Sequence, residues 1–182
     1  MADQRLRELM QELFDAHQSF RQTWIDKRGK GALREPDLVK NERERFWNAL
    51  NRLFEERLDG LQNAFATDRN GTIDTVIDFL EIDIPAFRCG YLKERFLRKL
   101  KSADLNDDQV SRLTSAALAL VSRGKYRREL REWSRLMFVI ADTEFVADLN
   151  KMIEKLGAWK GRNAERMLKG VLDNRPDLRT RA

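Results

Sequence analysis

Cysteine, histidine, tyrosine and proline are almost missing from this 182-residue chain, which has one Cys, one His, two Tyr and three Pro. Each scarcity removes a class of answer. Cys89 has no second cysteine to pair with, and one Cys with one His cannot supply the four ligands of a structural zinc site. Hydrolytic triads need a base beside the nucleophile. The sole histidine, His17, falls on an apolar stripe between Phe14 and Phe20, where packing is the expected role. Three prolines and nine glycines leave little material for turn-rich β structure. No apolar run approaches the roughly 18 residues of a membrane span, and residues 1–5 show neither a signal-type apolar region nor a myristoylation glycine. With the lone thiol, these features predict a cytoplasmic setting without a membrane partner.

What is present is helix-forming. Charged residues make up 36% of the chain and hydrophobic ones 42%, and Leu, Arg, Glu, Lys and Ala are abundant. Leu6, Leu9, Met10, Leu13, Phe14, His17, Phe20, Trp24 and Ile25 recur at three- and four-residue steps, predicting a helix from Asp3 to Lys27 that Gly29 and Gly31 stop. Pro36-Asp37 opens a second, to Ala66, with Phe46, Leu50, Leu53, Phe54, Leu58, Leu61 and Phe65 inward. Further stripes predict helices around 73–80, 85–101, 107–121, 126–141, 143–156 and 162–173. No stretch alternates with period two. The expected fold is all-α, about eight helices in antiparallel pairs.

Turns at Ala66-Thr67-Asp68, Ser102-Ala103-Asp104 and Ile140-Ala141-Asp142 recur at a spacing close to the roughly 40–47 residues of HEAT-type repeats. A short HEAT-like stack is one expectation, a compact helical bundle the alternative. The expected organisation is one helical domain over 1–173, with a long first helix over 1–28, helix pairs over 38–173 and a flexible tail at 174–182. The first helix also offers a route to a homo-oligomer.

Catalytic and metal patterns fail on inspection. Asp68-Arg69-Asn70-Gly71 resembles part of a calcium loop, but Ala66 and Ile77 stand where carboxylates are required. Arg28-Gly29-Lys30-Gly31 lacks the strand and spacing of a phosphate loop. Asp74, Asp78 and Glu81 share one helix face, opposite Ile73, Val76, Ile77 and Leu80, which predicts a solvated acidic stripe. The chain therefore reads as non-enzymatic, without cofactor or metal.

Charge is distributed unevenly. Residues 1–85 carry 13 basic and 17 acidic side chains, and residues 86–135 carry 13 and 6. Within that basic middle, Arg88, Arg95, Arg98 and Lys99 form one group. Arg123, Lys125, Arg127, Arg128, Arg131 and Arg135 form another, with Glu129 and Glu132 beside them. Adjacent packing of the two helices would merge the groups into one binding surface for an acidic protein partner. Nucleic acid is the second candidate. Of the four tryptophans, Trp24, Trp47 and Trp133 fall at core-compatible positions, and Trp159 lies between two glycines where it can project from a loop.

Overall fold

The computed structural model describes residues 4–28, 36–82, 87–123 and 129–178. All regular structure in them is helical, and packing divides the chain into two compact units, Met1–Ile84 and Pro85–Ala182. No helix among the described residues is long and apolar enough to cross a membrane.

In the first unit, α1 (Gln4–Arg28) packs along α2 (Pro36–Leu53). Their direction follows from pairs that approach across the interface. Arg5 meets Glu56, Arg52 meets Glu12 and Phe46 meets His17, so one index rises as the other falls and the helices run antiparallel. Leu6, Leu9, Met10, Leu13 and Ala16 are buried, which commits the apolar face of α1 to this packing and leaves Arg7, Glu8, Gln11 and Asp15 outside.

The second helix is one rod of three parts, α2, a π turn at Phe54–Leu58, and α3 (Asp59–Thr67). The π turn accounts for a shift in the stripe. Phe46, Ala49, Leu50, Leu53 and Phe54 are buried, and α spacing continued from Leu53 would next bring Arg57, Gly60 and Ala64 inward. Leu58, Leu61 and Phe65 are buried instead, one residue later. An i→i+5 turn absorbs that extra residue. Glu56 within it accepts hydrogen bonds from Arg5 at 2.7 Å and Arg52 at 3.3 Å, and the Arg5 guanidinium holds its carboxyl below the ordinary value.

At the next turn the Asp68 carboxylate accepts a hydrogen bond from the Gly71 amide at 3.1 Å and caps α4 (Arg69–Glu81). This is the calcium-like turn of the sequence, and its acid serves as a helix cap. The expected acidic stripe of α4 is corrected here. Asp74 and Glu81 are exposed, but Asp78 is only 2% exposed and accepts a hydrogen bond from Arg7 of α1 at 3.1 Å.

The second unit comprises α5 (Phe87–Leu100), α6 (Asp107–Ser122), α7 (Leu130–Ile140), α8 (Thr143–Lys160) and α9 (Arg162–Asn174). Asn106 starts α6 with a reciprocal capping box to Gln109, and Asp142 starts α8 by accepting from the Phe145 amide at 2.8 Å. The helices pack as a bundle, α8 and α7 most extensively on α9, α5 on α7, and α6 on α7, α8 and α9. Leu113, Ala117, Val121, Trp133, Leu136, Met137, Phe145, Leu149, Met167 and Val171 make up much of this unit's buried apolar set.

Two glycines bear on the packing of this unit. Gly157 takes φ +70° and ψ 173°, a region open in practice only to glycine, and breaks α8 there. Gly170 lies so close to α7 that a Cβ would meet Phe138 ring carbons at 2.8 Å. The backbone from Trp159 to Lys160 is helical rather than a projecting loop. The Trp24 and Trp159 side chains lie outside what is described. Trp133 is buried as expected, but Trp47 is 51% exposed, because it stands one position off the stripe carried by Phe46 and Leu50. Within the expected tail, residues 175–178 are described and residues 179–182 lie outside the described residues. Arg175 donates to the Val139 and Ala141 carbonyls, and a 3-10 turn at Pro176–Leu178 buries Leu178.

Candidate interaction surface

The two basic groups of the sequence do come together in part, because α5 packs on α7. Cys89, Leu92, Lys93, Phe96, Leu97 and Leu100 turn inward along α5. The 3.6-residue period then sends Arg88, Tyr91, Arg95 and Arg98 outward in one row of about 15 Å. Lys99 is half-buried beside the row. On α7, burial of Leu130, Trp133, Leu136 and Met137 leaves Arg131 exposed and Arg135 half-exposed, one turn apart. Arg123 is exposed at the C-terminus of α6, on a different element. Lys125, Arg127 and Arg128 lie outside the described residues.

The sequence did not reveal how carboxylates hold this surface together. Glu132 of α7 is 7% exposed and gathers three cations. Its Oε1 accepts a hydrogen bond from Arg135 at 2.8 Å and lies 4.0 Å from Arg98 Nε, and its Oε2 faces Lys101 Nζ at 3.6 Å. Glu94, also buried, lies 3.4 Å from Arg98 and lends it a backbone carbonyl at 3.2 Å. Glu129 is buried as well, near Gly90 of α5. Bringing like charges together is unfavourable unless counter-charge sits between them, and in the α5–α7 seam Glu94 and Glu132 supply it. The surface is therefore a cationic rim around an internal acidic seam, rather than an unbroken basic patch. Glu129 and Glu132 were visible beside the arginines, but only the approach of α5 shows which cations they meet.

Cys89 is fully buried next to this seam. Burial pushes its thiol up to about 11, against the opposing pull of Lys93 and Arg88. That direction suits a packing residue, since a reactive thiol needs a lowered pKa. His17 is half-buried with its ring 5.8 Å from Phe46, again a packing position.

A concavity lies between α6 and α8. It has a volume of about 350 Å³, with Asp107, Ser111, Thr114, Ser115, Glu144 and Asp148 among its lining residues. Its acids have local duties. Asp107 and Glu144 lie in first helical turns, where negative charge is favoured, and Asp148 pairs with Lys151 at 3.1 Å. Among the described residues, no three His, Cys, Asp or Glu side chains gather as a metal site. Compared with protein-family models, with curated proteins and with solved structures, the chain matches none.

Proposed function

We propose that this protein is a non-catalytic helical scaffold that docks an acidic protein partner on the α5–α7 surface, in a reducing cytoplasmic setting. The observation that carries the reading is the outward row Arg88, Tyr91, Arg95 and Arg98 beside Arg131 and Arg135 on the neighbouring helix. Arginine suits carboxylate recognition because its planar guanidinium donates two parallel hydrogen bonds. Tyr91, 39% exposed, and Val139, 52% exposed, add apolar area of the kind protein interfaces bury. The acidic seam favours a protein over a nucleic acid, since it offsets part of the positive field that a polyphosphate would need.

Packing of α9 on α6, α7 and α8 supports a compact helical bundle as the scaffold, whereas the next-but-one contacts of α5 with α7, α7 with α9 and α6 with α8 support a short HEAT-like stack. Helix caps at Asp68, Asn106 and Asp142, spaced 38 and 36 residues apart, support the same reading.

The test uses a fluorescent polyglutamate peptide and a duplex DNA oligonucleotide as probes, read by anisotropy across a salt series. The peptide binds the wild-type protein and is lost on Arg95→Glu with Arg131→Glu, with helicity by circular dichroism unchanged. Equal peptide binding by the charge-reversed protein refutes the assignment. Preference of the wild type for DNA at all salt concentrations favours the nucleic-acid reading instead.

A further inference from the structure

We infer that the α1–α2 hairpin carries a docking site of its own, a half-open groove at Trp47, Arg43 and Arg21 that takes an amphipathic helix whose apolar stripe is flanked by carboxylates. The site lies in the first unit and does not rest on the α5–α7 reading.

Helical phase locates the groove. Arg5 and Arg52 both meet Glu56, on one flank of the hairpin. At roughly 100° per residue, Arg7, Phe14 and Arg21 stand about 160–200° around α1 from Arg5, and Arg43 stands about 180° around α2 from Arg52. These four residues therefore share the opposite flank. There Arg7 donates to Asp78 at 3.1 Å, so α4 fills this flank beside the start of α1. It ends at Glu81, about 4.5 Å farther along its axis. Phe14 lies about 10 Å beyond Arg7, and α1 continues to Arg28.

Past the end of α4 the flank changes character. Trp47 is 51% exposed, one turn along α2 from the exposed Arg43. Its ring stands 5.5 Å from Phe46, which lies 5.8 Å from His17 and 6.1 Å from Phe20. An aromatic cluster spanning both helices thus surfaces at the indole. Elsewhere on the hairpin Arg5 is committed to Glu56, Arg7 to Asp78 and Arg52 to Glu12. Arg21 and Arg43 are exposed and, among the described residues, meet no carboxylate. Tryptophan and arginine are the side chains that most often dominate the energy of protein interfaces.

The occupant follows from how α4 uses the same flank. It buries Ile73, Val76, Ile77 and Leu80 and sets the Asp78 carboxylate on Arg7. Arg21 repeats Arg7 about four turns along the same face. A helix laid end to end with α4 would rest apolar residues on Trp47 and Phe14 and set carboxylates against Arg21 and Arg43, the helix-in-groove mode of recognition. Residues 1–85 carry 13 basic and 17 acidic side chains, which gives no net positive field to hold a nucleic acid.

Two fluorescent peptides of about four turns test the site on the full chain. One carries leucines at i, i+3, i+4 and i+7 with glutamates elsewhere, and the other has lysines in place of the glutamates. By anisotropy the acidic peptide binds, and the lysine peptide binds at least about tenfold more weakly. Trp47→Ala, and separately Arg21→Glu with Arg43→Glu, each weaken the acidic peptide at least about tenfold, with helicity by circular dichroism unchanged. Should Trp47→Ala not fold, the arginine pair decides. Absence of binding, equal binding of the two peptides, or binding undiminished in the folded variants overturns the inference. Loss on Arg95→Glu with Arg131→Glu instead also overturns it, since the peptide then sits on α5–α7. Sedimentation of the protein alone shows a monomer. A dimer that Trp47→Ala dissociates makes a second copy the occupant and overturns the assignment.

Discussion

Gly170→Ala sets two calculable effects against each other in the α7–α9 interface. Alanine is favoured over glycine inside a helix by about 1 kcal/mol, and Gly170 lies well within α9. A Cβ there would lie 2.8 Å from Phe138 Cε1 and Cζ, although carbon atoms pack best at roughly 3.5–4.0 Å. The ring must retreat by nearly 1 Å, yet the α7 backbone that carries it is anchored by the buried Trp133, Leu136 and Met137. Overpacking of this kind costs about 1–3 kcal/mol, so net destabilisation of about 1 kcal/mol is expected. Urea unfolding followed by circular dichroism reads it as a lower midpoint. Gly90→Ala is the internal control. It lies within α5, and its Cβ would meet only Glu129 Oε2 at 3.5 Å, an ordinary contact, so the helix-propensity gain of about 1 kcal/mol should emerge alone. Phe138→Leu combined with Gly170→Ala should recover most of the loss. Stabilisation by Gly170→Ala alone would show that the ring yields freely and that close approach does not account for the glycine.

Two further outcomes follow from burial and capping. The Cys89 thiol ionises near 9.0 when unfolded and at about 11 when folded, so above pH 9 the unfolded state has shed a proton that the native state keeps. Its contribution is complete below pH 9 and is lost as pH rises toward 11, to a total of about 2–3 kcal/mol. Unfolding midpoints of wild type and Cys89→Ala should therefore converge over that window, and a constant difference would refute the assignment. Asn106→Ala removes one arm of the capping box and should lower stability by about 1 kcal/mol, measured by urea unfolding. No change there would mean that water replaces the cap.

Local rules carried much of this fold. The caps at Asp68, Asn106 and Asp142, the helix stop at Gly157 and the buried positions of α1 and α6 follow from spacing and residue type within a few residues of each. What escaped depends on distant partners. Asp78 reads as part of a solvated stripe because its partner, Arg7, lies 71 residues away on another helix. Glu132 reads as an ordinary neighbour of the arginines until α5 brings Arg98 and Lys101 to it. Trp47 shows the converse limit, where residue type favours burial but phase places the ring outside. The candidate surface was legible as a set of arginines but not as a charge-balanced assembly, since pairing across a helix interface leaves no mark in either helix alone.

The π turn at Phe54–Leu58 also has a genetic consequence. Losing one residue from a packed α-helix normally swings everything beyond it by about 100° around the axis and turns the core stripe toward water. Here the helix already carries a surplus residue. Deleting the exposed Glu55 would return Leu58, Leu61 and Phe65 to the 3.6-residue rhythm of Phe46, Leu50 and Leu53, with no core side chain exchanged. Between residues 36 and 67, a single-codon deletion at this point should be the best tolerated, and the same deletion should cost more the farther it lies from the π turn, since only the core residues between the two are left out of phase.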